Sequence, residues 1–290
     1  MSDNLMSRRK FLAGAGLVLG AASVSGVALL KDADPAAAVN EVPLPWPYPK
    51  TGPEQPVPEA LARRSYEMHR YQGFACAEAV WWPFVEALTP ANPSTWGTLP
   101  QKMFQFGGQG IKGWGTICGT LNAAAAIIGM TVGNGAHQST LTDAVLMYYS
   151  KTALPTNDAW KSYNKVLGLS TDWTIPVEDN RPIANAPTSI ADSPLCHSSL
   201  VQWTMVTDAP NGGPLQKDRC AKACFDVTLK LAELLNAYWA AATPSPDAAP
   251  LDPSVAACGA CHVTYTPAKM SCSSCHDNSS VADPVYGHER

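Results

Sequence analysis

Two copies of one short motif near the C-terminus constrain this chain more than any other feature. Cys258-Gly-Ala-Cys261-His262 and Cys272-Ser-Ser-Cys275-His276 lie within 19 residues of each other, and each is C-x-x-C-H. Two thiols at that spacing reach the two vinyl groups on one edge of a porphyrin and form thioethers. The histidine that follows turns its imidazole onto the iron. Cys258, Cys261, Cys272 and Cys275 therefore read as covalent attachments for two haem c groups, with His262 and His276 as the proximal iron ligands. Two alternatives stay open at this point. The same four cysteines suit a four-thiolate zinc ribbon, which has no use for a histidine after each pair. They could also close as two disulfides in an exported chain.

Export is expected from the other end. Ser7-Arg8-Arg9-Lys10-Phe11-Leu12 is a twin-arginine signal, followed by a mildly apolar stretch over residues 11–30 and a small-residue site at Ala36-Ala37-Ala38. Residues 1–38 read as a signal peptide and the mature chain as starting near Val39 in the periplasm. The stretch is rich in Gly, Ala and Ser, too weakly apolar for a good permanent membrane span. Twin-arginine export moves folded proteins, whereas haem is attached after export. Something besides haem is therefore expected to be loaded first.

Five cysteines stand outside the haem motifs and are available for such a group: Cys76, Cys118, Cys196, Cys220 and Cys224. An odd number cannot all pair as disulfides. Four thiolates are what an iron–sulfur cluster needs, which leaves one thiol over. Cys220 and Cys224 stand four apart in a helical pattern, so they share a face. For any one of them, a buried apolar thiol is the competing reading. The set of five, with the export route, points to a cluster.

The remaining pattern is mainly α: a helical body with a C-terminal, loop-rich dihaem tail. A proline-rich arm over residues 39–58 should lie extended over the body or a second subunit. The helical body spans residues 59–242, with helices expected over 59–71, 75–88, 118–132, 139–153, 158–167 and 217–240. Residues 92–115 and 170–194 read as irregular. Residues 243–290 form a proline-containing linker and the dihaem tail, placed where a folded, exported chain can still present its thiols. Gly108-Gln-Gly110-Ile-Lys-Gly113 matches G-x-G-x-x-G, but no strand precedes it and no acidic residue follows at the right distance, so a dinucleotide site is rejected. These glycines instead let the backbone pass close to a cofactor or another helix. The net charge is −4, and −5 once residues 1–38 are removed with their four basic and three acidic side chains. With no basic stripe, nucleic acid is excluded as a partner. A basic redox partner protein fits the charge.

Each haem iron has a sixth position. With His262 and His276 proximal, the distal candidates are His197, His69, His137 and His288. A short tail cannot easily close over both haems, so at least one of these ligands should come from the body or a second subunit.

With these residues assembled, the chain resembles the split-Soret cytochromes c. The features that carry the resemblance are the twin-arginine leader, Tyr71-Gln-Gly-Phe-Ala-Cys76-Ala-Glu-Ala-Val80, Ile117-Cys118-Gly119, Cys196-His197, Arg219-Cys220-Ala-Lys-Ala-Cys224 and the two C-x-x-C-H motifs. The part before the tail is also similar to a wider group of haem-free, cysteine-motif redox proteins, the C_GCAxxG_C_C type. The resemblance implies a mainly helical homodimer with stacked, bis-histidine haems, a ligand shared across the dimer and an iron–sulfur centre of the 2Fe–2S kind in each subunit. The wider group has one cysteine near the start of its last helix where this chain has two. Which of the five is spare is thus left open, with Cys76 the first candidate. The function expected is a periplasmic dihaem cytochrome carrying electrons in anaerobic respiration, since no catalytic acid, base or nucleophile is identifiable. The alternatives are a haem oxidoreductase reducing a small molecule at an open iron position, and a zinc-binding sensory module.

Overall fold

The computed structural model describes residues 44–159, 186–243, 250, 252–255 and 269–271. The expected leader over 1–38, the haem motifs at 258–262 and 272–276, His288, most of the helix expected at 158–167, much of the loop at 170–194 and linker residues 244–249 lie outside these. All described residues belong to one compact unit, 44–290.

Helix α1, Pro58–Gln72, begins with proline where a missing N–H costs nothing and stops at Gly73, whose φ of 71° sends its N–H back to the Met68 carbonyl. Helix α2, Cys76–Leu88, is apolar almost all round and is buried accordingly, with Val80, Trp81, Phe84 and Leu88 inaccessible to solvent. Helix α3, Gly119–Val132, presents Ala123 and Ala124 to its neighbours and α4, Ala136–Lys151, packs against it. Helix α5, Cys196–Thr207, precedes the long α6, Pro214–Ala240, which packs against α1, α2, α3 and α4. The class is mainly α, as expected. Among the described residues the sheet is one antiparallel pair, β1 (Ala153–Leu154) with β2 (Ser189–Ile190), in the register Ala153 to Ile190. None of the described helices is long and apolar enough to cross a membrane.

The described part of the proline-rich arm lies over the body. Tyr48 donates a hydrogen bond to Asn236 Oδ1 at 2.7 Å, and the Trp96 indole donates to the Pro47 carbonyl at 2.9 Å. Between α1 and α6 runs a buried polar line in which Tyr66 donates to Asp218 at 2.6 Å and Lys222 Nζ stands 3.3 Å from the same carboxylate. Each charge there has its opposite, as burial demands.

What brings α2, α3 and the loop over 99–117 together is close backbone contact. Glu78 on α2 is fully buried, and its carboxylate accepts the backbone N–H groups of Lys102 and Phe104, both at 2.7 Å. The Ala77 N–H donates to the Gly107 carbonyl at 3.2 Å. A Cβ on Gly107 would fall 2.3 Å from Ala77 Cβ, and one on Gly119 would fall 1.9 Å from the Gly107 oxygen. Gly110, at φ 80°, presses on Thr116 in the same way. Of the glycines in the G-x-G-x-x-G run only Gly110 meets a tight contact, with Thr116 of its own loop, while Gly108 and Gly113 have ordinary ones; the close approach between helices falls instead to Gly107 and Gly119 outside the run.

The described tail residues rest on α4 and the turn beside it. Lys151 pairs with both Asp192 and Asp252, Lys269 donates to Asp143 at 2.6 Å and to Ser139 at 3.1 Å, and the Ser193 hydroxyl reaches Met270 Sδ at 3.6 Å.

Because the Gly107 carbonyl cannot yield without moving α2, Gly119→Ala should destabilise the folded chain by about 1–3 kcal/mol or more. Thermal unfolding of the two proteins checks this, with Gly129→Ala, which meets only the Gln138 side-chain nitrogen at 3.3 Å, as the mild control.

Candidate metal centre

The five cysteines outside the haem motifs come together in one place. Cys76 is the first residue of α2, Cys118 caps the N-terminus of α3, and Cys196 is the first residue of α5. Cys220 and Cys224 project from one face of α6. All five are buried and none is in a disulfide. Three helix N-termini thus direct the positive ends of their dipoles at a single thiol cluster, an arrangement that works toward thiolate and against the cost of burial.

Chain crossing sets the positions. Ile117 and Leu195 form an antiparallel bridge, in which the Cys118 N–H donates to the Pro194 carbonyl at 2.9 Å and the Cys196 N–H to the Thr116 carbonyl at 2.8 Å. That bridge holds the two cysteines diagonally beside each other. Gly119 against Gly107 and Ala77 brings Cys76 to the same point.

The hydrogen-bond donors are distributed unevenly. Thr120 Oγ1 donates to Cys118 Sγ at 3.2 Å. Gln216, whose carbonyl oxygen accepts the Gly212 N–H at 2.9 Å, turns its amide NH2 to Cys220 Sγ at 3.0 Å. His69 Nε2 lies 3.4 Å from Cys76 Sγ. Cys224 has the opposite character: its thiol donates to the Cys76 carbonyl at 3.8 Å. The donor atoms of His69, Cys76 and Cys224 all lie within 4.8 Å of one another.

The acidities follow. The Cys196 thiol beside it, helped by Thr120 and Tyr149, pulls Cys118 down to about 6 against the effect of burial. Cys196 is pushed up by that same contact and by burial. Cys220 is pushed up by Cys76 and then by burial, and Cys224 by burial first. For Cys76, the hydrogen bond with Cys220 lowers the value, but Cys224 and burial outweigh it. Thiolates this close cannot all ionise unless a cation joins them.

One cation is built in. Arg219 is 2% exposed, donates to the Ser199 hydroxyl and faces Cys220, Cys118 and Tyr149. Burial acts to discharge it, but the surrounding thiols and phenol outweigh burial and keep it protonated. Two buried polar atoms without a hydrogen-bond partner lie beside this pocket: Arg219 Nε and His69 Nδ1. Four or five thiolate donors, a buried guanidinium and orphaned polar atoms fit an anionic metal centre.

The histidines divide. His69 is turned in on Cys76, and burial together with the Arg70 charge takes it down to about 4, so its imidazole is neutral at pH 7. His137 and His197 are exposed. His137 Nδ1 is 3.0 Å from the Tyr238 hydroxyl, and His197 sits against Gly115 next to Cys196. The haem cysteines, His262, His276 and His288 lie outside the described residues. Sequence reasoning missed Arg219, Glu78, Tyr149 and Gln216. Arg219, directly before Cys220, was the one with a visible signal, a charged residue inside an otherwise buried helical turn.

The family model described as "Putative redox-active protein (C_GCAxxG_C_C)" matches residues 74–236, which contain all five cysteines and stop short of the C-x-x-C-H motifs. The chain is 25% identical over 294 residues to the split-Soret cytochrome c of Desulfovibrio desulfuricans (strain ATCC 27774 / DSM 6949 / MB), a match covering 97% of this chain and 98% of that one. Its fold is similar to the solved structure of the split-Soret cytochrome c from D. desulfuricans ATCC 27774, described for a novel iron centre. That match has a TM-score of 0.65 and 23% identity, and covers 84% of this chain and 95% of that one.

In reduced, metal-free protein one thiolate per chain should ionise with a midpoint of about pH 6, seen as thiolate absorbance and absent from Cys118→Ser. A depressed thiol contributes stability that is present above its unfolded value near 9 and lost as pH falls through about 6. Chemical unfolding between pH 6 and 9 should therefore show stability rising with pH, and Cys118→Ser should flatten the rise.

Proposed function

Because the chain belongs to the C_GCAxxG_C_C family, we propose that its five-thiol pocket holds an iron–sulfur cluster and that the whole chain is a dihaem c-type electron carrier. The observation that carries this reading is the meeting of Cys76, Cys118, Cys196, Cys220 and Cys224 at three helix N-termini beside a buried arginine. The two C-x-x-C-H motifs and the likeness to a cytochrome over nearly the full chain support the haem part.

A 2Fe–2S cluster supplies one-electron chemistry and takes two cysteines on each iron. The chain offers such a division. Cys118 and Cys196 form one pair across the Ile117–Leu195 bridge, and Cys76 and Cys220 the other. Cys118 and Cys220 accept hydrogen bonds from Thr120 and Gln216, and Cys76 and Cys196 stand at helix N-termini. Cys224 has none of this help and spends its proton on a carbonyl, which makes it the spare thiol in place of Cys76. The proximity of His69, Cys76 and Cys224 favours a second arrangement, in which this mixed set takes one metal position.

His262 and His276 are the proximal ligands of the proposed haems, and His137 and His197, exposed on the body, offer imidazoles for sixth positions. Filled irons transfer electrons, whereas an open position would serve reduction of a small molecule, so available distal histidines support the carrier. Export by the twin-arginine route, a periplasmic location, homodimeric assembly and a role in anaerobic respiration complete the reading.

Protein purified without oxygen should contain non-haem iron and acid-labile sulfide in equal amounts, about two of each per chain, beside two covalent haems. Serine at Cys118, Cys196, Cys220 or Cys76 should remove or alter the cluster's paramagnetic signal, and Cys224→Ser should leave it. Loss of the signal from Cys224→Ser alone would select the mixed histidine–cysteine set. Absence of labile sulfide from the wild-type protein would remove the cluster.

A further inference from the structure

Helix α6 carries two buried cations of different standing. Lys222 lies against Asp218 at 3.3 Å. Arg219, equally buried, pairs with no carboxylate among the described residues. Its guanidinium donates to the Ser199 hydroxyl and approaches the Ser199 carbonyl at 3.5 Å, which are dipoles and not charges, and its Nε is unpartnered. The ionisable groups around it are Cys220, Cys118 and Tyr149. A fully dehydrated cation survives in a protein interior only opposite an anion, and here the thiols are where that anion must form.

We propose that Arg219 is the fixed counter-cation of the cysteine centre and holds the centre's reduction potential up. The inference rests on the iron–sulfur reading above and goes beyond it to a residue that binds no metal. A centre of four thiolates, two sulfides and two ferric irons would carry a formal double negative charge, which one electron would make triple. That electron would be supplied by a ferrous haem, itself becoming ferric, or by dithionite in a titration. Arg219 is already protonated, so no proton need accompany it. A positive charge fixed beside Cys220 and Cys118 is attracted more strongly to the reduced than to the oxidised centre, and low polarity around it enlarges that difference. Ser199 acts through Arg219: it stands in the first turn of α5, the helix begun by Cys196, and fixes the guanidinium relative to that ligand.

The test is an EPR-monitored redox titration of the intact holoprotein in three forms: wild type, Arg219→Gln and Arg219→Lys, with iron and labile sulfide measured on each. Arg219→Gln should make the centre harder to reduce by at least about tenfold in the reduction equilibrium, about 59 mV for a one-electron couple. Arg219→Lys, which keeps the charge and loses the fork, should stay within about threefold of wild type, with haem potentials unchanged in both. If Arg219→Gln fails to load iron while Arg219→Lys loads fully, the charge is needed for assembly as well, which also supports the inference. A Gln variant that titrates like wild type overturns it. So does a Lys variant shifted as far as the Gln variant, or failure of both to load, since either result marks a packing role. A wild-type protein without labile sulfide overturns the inference together with the iron–sulfur reading. That failure shows in the parent protein and the others only in the variants.

Discussion

Everything around the pocket answers to one electrostatic constraint: five thiols and a guanidinium share a volume from which water is excluded. Thiols packed together resist ionisation, because each thiolate raises the cost of the next. Among them only Cys118 is drawn well below its ordinary value, and the group that chiefly draws it, the Cys196 thiol, is itself pushed up in exchange. The pocket therefore cannot become a four-thiolate ligand set by hydrogen bonding alone. The fold supplies what positive potential a backbone can, by starting three helices there, and adds one arginine. Any further compensation would have to come from a bound cation. This is why the helix starts, the glycine contacts and the buried charge all converge on the same small region.

The helices were legible wherever apolar residues recur at helical spacing between clear breakers. Pro58 and Gly73 bracket α1, and the long run into Ala240 marks α6, although its start lies at Pro214 and not at Lys217. Helix α4 starts at Ala136, three residues earlier than its pattern indicated, with Gly135, at a φ of 141° that favours glycine, as its N-cap. Helix α5 was not legible at all. Its sequence, with Ser198, Ser199, Val201, Thr204, Val206 and Thr207, is rich in residues that are poor helix formers. Tertiary contact decides the matter there, through Trp203 buried in the core and the Cys196 N–H tied to Thr116. The cysteines could be listed from the sequence but not arranged. Their pairing depends on a bridge between residues 117 and 195, and no local pattern reports so distant a contact. Arg219 and Glu78 were hidden for the same reason: a charged residue reads as surface until the groups that enclose it are known.

The tail differs from the body in the bonds that attach it. The body coheres through apolar packing around Trp81, Phe84 and Ile127 and through close backbone crossings at Gly107 and Gly119, none of which can open without unfolding. The described tail residues are held by ion pairs and hydrogen bonds at the rim: Asp252 to Lys151, Lys269 to Asp143, Ser254 to Ser271. Contacts of that kind at partly exposed positions are weak singly and exchange readily with water. The family match ends at residue 236, before this segment begins, and holds all five thiols of the pocket. Thiols enclosed by core packing, and a segment whose described residues are attached by polar contacts at the rim, suit a chain in which one cofactor would be enclosed in the folded body and another attached afterwards.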